Sequence, residues 1–383
     1  MTRRITLNQT SYFGRGAIQE IIPELKNRSV QRVMINTDEG VLGLGLIDKI
    51  TSLLQEAGLE YQIFSKINPN PSIEDVQAGL KALKEFDAQA IIAVGGGSPI
   101  DASKAIAIIA TNPEFSDVRS LEGLAQTKNP CLPLIAVSTT SGTAAEVTIN
   151  YVITDIERQR KFVCADPHDI PVVAIVDPDM SQGMPASLCA ATGMDALVHA
   201  IEGYITKGAW AMTDMFHLEA IRMIAKNLPA AVKGDPEARE AMSLAQYIAG
   251  MGFSNVGLGI VHSMAHPLSA LYGIAHGKAC AMMLCAVLEY NAPATGEKYK
   301  EIARAFGLEG LDEMSQDEYR AAAIEAVRSL AQEVGIPKRL SELGVQEKDL
   351  DFLAKSAFND ACTPGNPAEV TQEQIEQIYR KIL

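Results

Sequence analysis

Ala88-Gln-Ala-Ile-Ile-Ala-Val-Gly-Gly-Gly-Ser-Pro-Ile-Asp101 decides how this chain folds. Residues 88–94 form an apolar run of strand length. Gly95, Gly96 and Gly97 interrupt it, and Ser98 and Pro99 lead into a helical pattern over 100–110. A strand, a glycine turn and a helix in this order form the phosphate-binding end of a parallel α/β sheet. Glycines let the backbone approach an anion, and the helix N-terminus supplies N–H groups and partial positive charge. Pro99 suits the first helical turn, where its missing N–H costs nothing. The spacing is GGGS and not GxGxxG, so the standard dinucleotide fingerprint is absent.

The pattern repeats on either side. Strands are expected over 32–37, 61–65, 134–137 and 172–176, with helices over 47–56 and 73–86, the latter capped by Ser72. Such alternation predicts a parallel sheet covered on both faces. From Pro185 the β-branched runs disappear. Helical periodicity then covers 187–205, 210–228, 237–265, 279–291, 297–306, 317–334 and 350–359. A turn-rich bridge over 177–185 separates the two styles. The expected fold is an α/β N-terminal domain with a parallel Rossmann-like sheet (1–183, dinucleotide-binding), followed by an all-α C-terminal domain (184–383, metal-binding and catalytic).

Three further features bear on a nucleotide. The loop Ser138-Thr-Thr-Ser-Gly-Thr143 offers hydroxyls at another strand end. Asp38 follows the strand 32–37; a carboxylate there can take ribose hydroxyls and repel a 2′-phosphate, favouring NAD over NADP, or can simply cap a helix. Lys161 can reach a ribose or phosphate, or can be a solvated hairpin lysine.

The second half holds a candidate metal site. Gly193-Met-Asp-Ala-Leu-Val-His199 puts Asp195 and His199 four residues apart, on one helix face. His262-Ser-Met-Ala-His266 and His276-Gly277 follow, and all six histidines except His168 lie between 199 and 276. The set Asp195, His199, His262 and His276 contains no thiolate and already fills four positions. Ferrous iron accepts further ligands readily, which favours Fe(II), with zinc as the alternative.

A chain of 383 residues is long enough for two cores. Its net charge of −14 argues against nucleic acid or an anionic membrane as partner. The six cysteines include no CxxC pair and read as reduced thiols; Cys280 and Cys285 read as core filler. The first residues lack the apolar region of a signal peptide, and the apolar stretch 279–288 is about half a membrane span. A cytoplasmic protein is expected.

Together these pieces resemble the iron-containing alcohol dehydrogenase family. The matches are Phe13-Gly-Arg-Gly16, the segment 95–101, Thr139 to Thr143 with Glu146-Val147, Asp195 to Glu202, and the histidines from His262 to His276-Gly277. They run in family order over nearly the whole chain. The resemblance implies that Asp195, His199, His262 and His276 hold the metal. It implies that Asp38, Gly96, Gly97, Ser98, Thr139, Thr143 and Lys161 contact NAD. Asn150, Phe253, His266 and Cys362 would lie around the substrate cleft, with His266 a proton relay or substrate orienter. It further implies a homodimer and a small alcohol or aldehyde substrate, such as lactaldehyde, propane-1,2-diol or a short primary alcohol. The run from Ile5 to Phe13 has strand propensity and no neighbouring hairpin partner, so edge pairing is expected, including between subunits. Ala144-Ala145 and Cys285-Ala286 stand where many members carry Gly-Ser and Pro-His, which bears on cleft shape. Dehydrogenation of glycerol or another small diol is the nearer alternative. A lyase acting on a polyanion would need basic side chains near the histidines, where few occur. A non-catalytic metal- or nucleotide-binding protein would bind without turning over NADH.

Overall fold

The computed structural model describes residues 2–158 and 160–383. They divide into two compact units. One runs to Thr140 and resumes over Ala144–Met184; the other comprises Ser141–Thr143 and Pro185–Leu383.

The first unit is built on nine strands: β1 (Thr10–Phe13), β2 (Arg32–Asn36), β3 (Glu60–Phe64), β4 (Ala90–Gly95), β5 (Gly123–Leu124), β6 (Leu134–Ser138), β7 (Asn150–Asp155), β8 (Arg160–Ala165) and β9 (Val173–Val176). Its helices are α1 (Ile21–Asn27), α2 (Glu39–Gly43), α3 (Leu46–Glu56), α4 (Ile73–Phe86) and α5 (Gly97–Thr111). Six strands form one sheet in the order β1-β9-β6-β4-β2-β3, and every pairing in it is parallel. Side chains alternate across the central strands. Met34, Ile91, Ala93, Leu134 and Ala136 pack with residues of α4 and α5. Val33, Ile35, Ile92, Val94, Ile135 and Val137 pack with residues of α1 and α3. Both faces are therefore covered, as continuous apolar strands require.

The chain leaves β2 for β3 on one side and then returns to β4 on the other. The order reverses between β2 and β4, and that is where an open α/β sheet forms its ligand crevice. Ser72 caps α4 through the Asp75 amide, and the Asp75 carboxylate returns to the Ser72 amide, forming a reciprocal capping box. The N-terminal run contributes only β1, an edge strand that pairs with β9 of the same chain. A second sheet, β5-β8-β7, contains the antiparallel hairpin β7–β8, which carries Lys161.

The second unit is helical: α6 (Ala186–Ile205), α7 (Ala211–Val232), α8 (Pro236–Val256), α9 (Ile260–Tyr272), α10 (His276–Asn291), α11 (Lys298–Ala305), α12 (Gln316–Glu333), α13 (Leu350–Phe358) and α14 (Gln372–Lys381). The single helix expected over 237–265 is two helices bent by 103°. The break is Gly257-Leu258-Gly259, with Gly257 at φ +83°, a conformation that ends a helix. The bend matters because it puts His262 in the first turn of a new helix. Among the described residues, no single helix is long and apolar enough to cross a membrane.

Candidate metal centre and cofactor edge

Helix α6 presents Asp195, His199 and Glu202 at spacings of four and three, so all three share one face. All are buried. The bend before α9 brings His262 to this face, and α10 begins with His276. Gly277 makes the last approach possible. A β-carbon there would lie 2.5 Å from the Ala191 carbonyl oxygen and 3.0 Å from Asp195 Cβ.

Three of the four expected ligands, Asp195, His262 and His276, come together, and the His199 ring lies beside them. Asp195 Oδ1 lies 3.8 Å from His276 Nε2. The His262 ring centroid is 4.5 Å from that of His199 and 5.4 Å from that of His276. Asp195, His262 and His276 each place a ligand atom within 4.8 Å of the others, and a fourth residue, Cys280, joins them. His262 Nε2 is buried and has no hydrogen-bond partner. A buried nitrogen in that state, facing a carboxylate and imidazoles, is what a divalent cation satisfies.

Glu202 received no role from the sequence, yet it organises the site. Its Oε1 accepts the Val261 amide at 2.7 Å, and its Oε2 accepts the His262 amide at 3.3 Å. Oε2 also lies 2.6 Å from His262 Nδ1. One carboxylate thus caps α9 and holds the His262 proton on Nδ1, leaving the Nε2 lone pair for a cation. Burial pulls the His262 imidazole down in pKa, but the bond and charge of Glu202 outweigh it and leave the value raised. His199 differs: burial, with the charge of His262, holds it well below the usual range, so it stays neutral. Its ring stacks on Phe253 at 4.2 Å. The signal for Glu202 was its position seven residues after Asp195, two turns along the same face.

His266 lies one turn beyond His262, and its ring stacks on His276 at 5.4 Å. Its Nδ1 is 2.7 Å from Asp360 Oδ2. Burial pushes the Asp360 carboxyl up, but His266 outweighs it and brings it down to about 2. Asp360 also accepts the Cys362 amide at 2.8 Å, which ties Cys362 to the same place. Phe253, His266 and Cys362 therefore gather at one site of the helical unit. Asn150, at the start of β7, belongs to the other unit. Its carbonyl accepts from the buried Lys104 ammonium at 2.9 Å, together with both oxygens of Thr148.

Of the nucleotide candidates, Asp38, Gly96, Gly97, Ser98 and Thr139 lie at the carboxyl edge of the parallel sheet, and Lys161 lies on β8 of the second sheet. Helix α5 begins at Gly97, three residues before the expected start, with Gly96 as a cap that has no side chain to offer. The first-turn amides are thus not closed by a capping side chain. Gly95 has φ +154°, and a β-carbon there would meet Pro99 Cγ at 2.5 Å. The Thr139 amide bonds the Gly95 carbonyl at 2.9 Å, which joins the ends of β4 and β6. Asp38 follows β2 and accepts the Val41 amide at 2.8 Å, so it does cap α2. Lys161 donates to Asn70 Oδ1 at 2.7 Å, and the Asn70 amide donates to Ser98 Oγ at 3.2 Å. Asn70 is a link that the sequence analysis did not include. Thr143 stands apart from Thr139: it belongs with the helical unit, where Ser141 Oγ lies 3.2 Å from Ser243 Oγ.

Comparison with known proteins agrees with both halves of this arrangement. Residues 8–178 match the family described as iron-containing alcohol dehydrogenase, and residues 189–383 match its C-terminal counterpart. The chain is 54% identical to lactaldehyde reductase of Escherichia coli (strain K12) over 379 residues, 99% of each chain. A crystal structure of 1,3-propanediol oxidoreductase superposes with a TM-score of 0.96 at 39% identity, covering 100% of both chains. Sulfoacetaldehyde reductase from Bifidobacterium kashiwanohense, solved in complex with NAD+, superposes with a TM-score of 0.87 at 28% identity, covering 100% of this chain and 99% of that one. With a cation-ready carboxylate and imidazole cluster in one unit and a glycine-lined sheet edge in the other, the chain belongs to the iron-containing alcohol dehydrogenase family.

Proposed function

We propose that this chain interconverts lactaldehyde and propane-1,2-diol, or closely similar short aldehydes and primary alcohols, using NAD(H) and Fe(II). The observation that carries the reading is the buried set Asp195, His262 and His276, with His199 beside it, in a chain 54% identical to a lactaldehyde reductase. When bound, the metal supplies Lewis-acid polarisation of a substrate oxygen, and the nicotinamide supplies or takes the hydride. Asp195, His199, His262 and His276 are assigned to the metal. One carboxylate and three imidazoles leave iron room for further ligands, which favours Fe(II) over tetrahedral zinc.

The remaining residues have separate tasks. Asp360 orients His266 through Nδ1 and leaves Nε2 as the nitrogen that moves a proton. Phe253 supplies an apolar wall against His199, Cys362 is assigned to the substrate surroundings, and Asn150 is assigned there by the family resemblance alone. Asp38, Gly96, Gly97, Ser98, Thr139, Thr143 and Lys161 are assigned to NAD. We assign the protein to the cytoplasm as a homodimer; light scattering that finds a monomer at micromolar concentration would remove the latter.

The test is a substrate panel on metal-loaded protein, following NADH oxidation. Lactaldehyde and short uncharged aldehydes should give the highest kcat/KM. A phosphorylated or dicarboxylic substrate that surpasses them would overturn the assignment.

A further inference from the structure

Cys280 follows His276 by one turn of α10, on the same helix face. It is fully buried and not in a disulfide. Its sulfur belongs to the group in which Asp195, His262 and His276 each bring a ligand atom within 4.8 Å. Sγ lies 3.6 Å from His276 Nε2. That nitrogen is also the one nearest Asp195 Oδ1. Zinc bonds of about 2.0–2.3 Å put neighbouring ligand atoms roughly 3–3.7 Å apart, so the sulfur stands at ligand separation from His276. His262 Nε2 points independently to a cation, since it is buried and has no hydrogen-bond partner.

We propose that Cys280 is a ligand of this metal centre when it holds zinc or cobalt(II), and that it sets the centre's affinity for these softer cations. On binding, the S–H bond breaks, the proton passes to solvent, and a sulfur lone pair forms the S–metal bond. Nothing is oxidised or reduced. Thiolate donors favour zinc and cobalt over a harder ion held by carboxylate and water, so the sulfur weights the choice of metal. The inference rests on the assignment of Asp195, His262 and His276 to the metal; with zinc or cobalt(II), Cys280 is the fourth ligand in place of His199, which is not of that group.

The experiment uses the full-length protein loaded stoichiometrically with cobalt(II) or zinc, beside Cys280→Ser. Wild-type protein with cobalt should show an intense near-ultraviolet sulfur-to-metal charge-transfer band, and Cys280→Ser should lose that band while still binding cobalt. X-ray absorption of the zinc form should show a sulfur neighbour at about 2.3 Å. Zinc affinity of Cys280→Ser should fall by more than the about 10–100-fold that loss of an outer hydrogen-bond partner costs, with a smaller fall for iron. If the variant does not fold, the absorption spectra of the wild type decide alone. Stoichiometric cobalt without the band, or zinc with only nitrogen and oxygen neighbours, overturns the role of Cys280 and leaves the carboxylate and imidazole site standing. Failure to bind either metal tightly overturns both.

Discussion

Replacing Glu202 with Gln tests whether one carboxylate both caps α9 and prepares His262. Glu202 receives three donors: the Val261 amide at 2.7 Å, the His262 amide at 3.3 Å and His262 Nδ1 at 2.6 Å. The two side chains are only 2% and 3% exposed, so water does not replace a lost partner. A glutamine keeps the shape but has one acceptor oxygen. If its carbonyl faces Val261, its NH2 confronts His262, which must then accept at Nδ1 and carry its proton on Nε2. That is the nitrogen turned to the cation. If the carbonyl faces His262, the Val261 amide is left without an acceptor. Each outcome strands a buried donor, at about 1–3 kcal/mol of stability. Metal affinity should fall about 10–100-fold, the usual cost of removing the partner that orients a ligating histidine. The assay is chelator competition for the bound metal, alongside thermal denaturation of loaded and stripped protein. If Glu202→Gln binds metal as tightly as wild type and melts at the same temperature, the account of Glu202 is wrong.

Three further outcomes are expected. His262→Ala should lose metal while NADH binding persists, whereas His266→Ala should keep metal and lose turnover; equal metal loss in both would make His266 a ligand. Asp38→Gly should admit NADPH, because it removes a carboxylate that would meet the 2′-phosphate; a wild type that already uses NADPH as well as NADH would refute the role of Asp38. His217 is fully buried, and burial lowers its pKa to about 3 from an ordinary value of 6.5. The unfolded chain therefore takes up its proton first as pH falls. Stability is complete above 6.5 and is lost between 6.5 and about 3, at up to about 1.4 kcal/mol per pH unit. His217→Leu should flatten that part of the stability profile measured by denaturant titration, and an unchanged slope would refute it.

Patterns that repeat locally are legible in the sequence. The run 88–94 with its glycines located β4 and the start of α5, because a buried parallel strand must be apolar throughout. Asp195 and His199 declared themselves by helical spacing. What stayed hidden depends on contacts distant in sequence. Asp360 meets His266 across 94 residues, and Lys161 meets Asn70 across 91. Cys280 kept the spacing that should have attached it to His276, but its apolar neighbours concealed a sulfur facing the ligands. The break between α8 and α9 was overlooked because the apolar period continues across Gly257 and Gly259, and only the backbone angle at Gly257 ends the helix. Glu202 needed the bend as well, since its partners exist only once α9 starts where it does.

The short excursion of Ser141–Thr143 governs how this protein can be dissected or recombined. The chain enters the helical unit at residue 141, leaves after 143 and re-enters at 185. A helical fragment cut at residue 185 would lack Ser141, the partner of Ser243. It would also lose Gly142, which lies so close to Thr192 that a β-carbon would come within 2.6 Å of it. Such a fragment begins with a notch beside α6, on the helix that carries Asp195 and His199. Chimeras that exchange helical halves between relatives should therefore transplant 141–143 with 185–383, as a discontinuous cassette and not as a simple C-terminal graft.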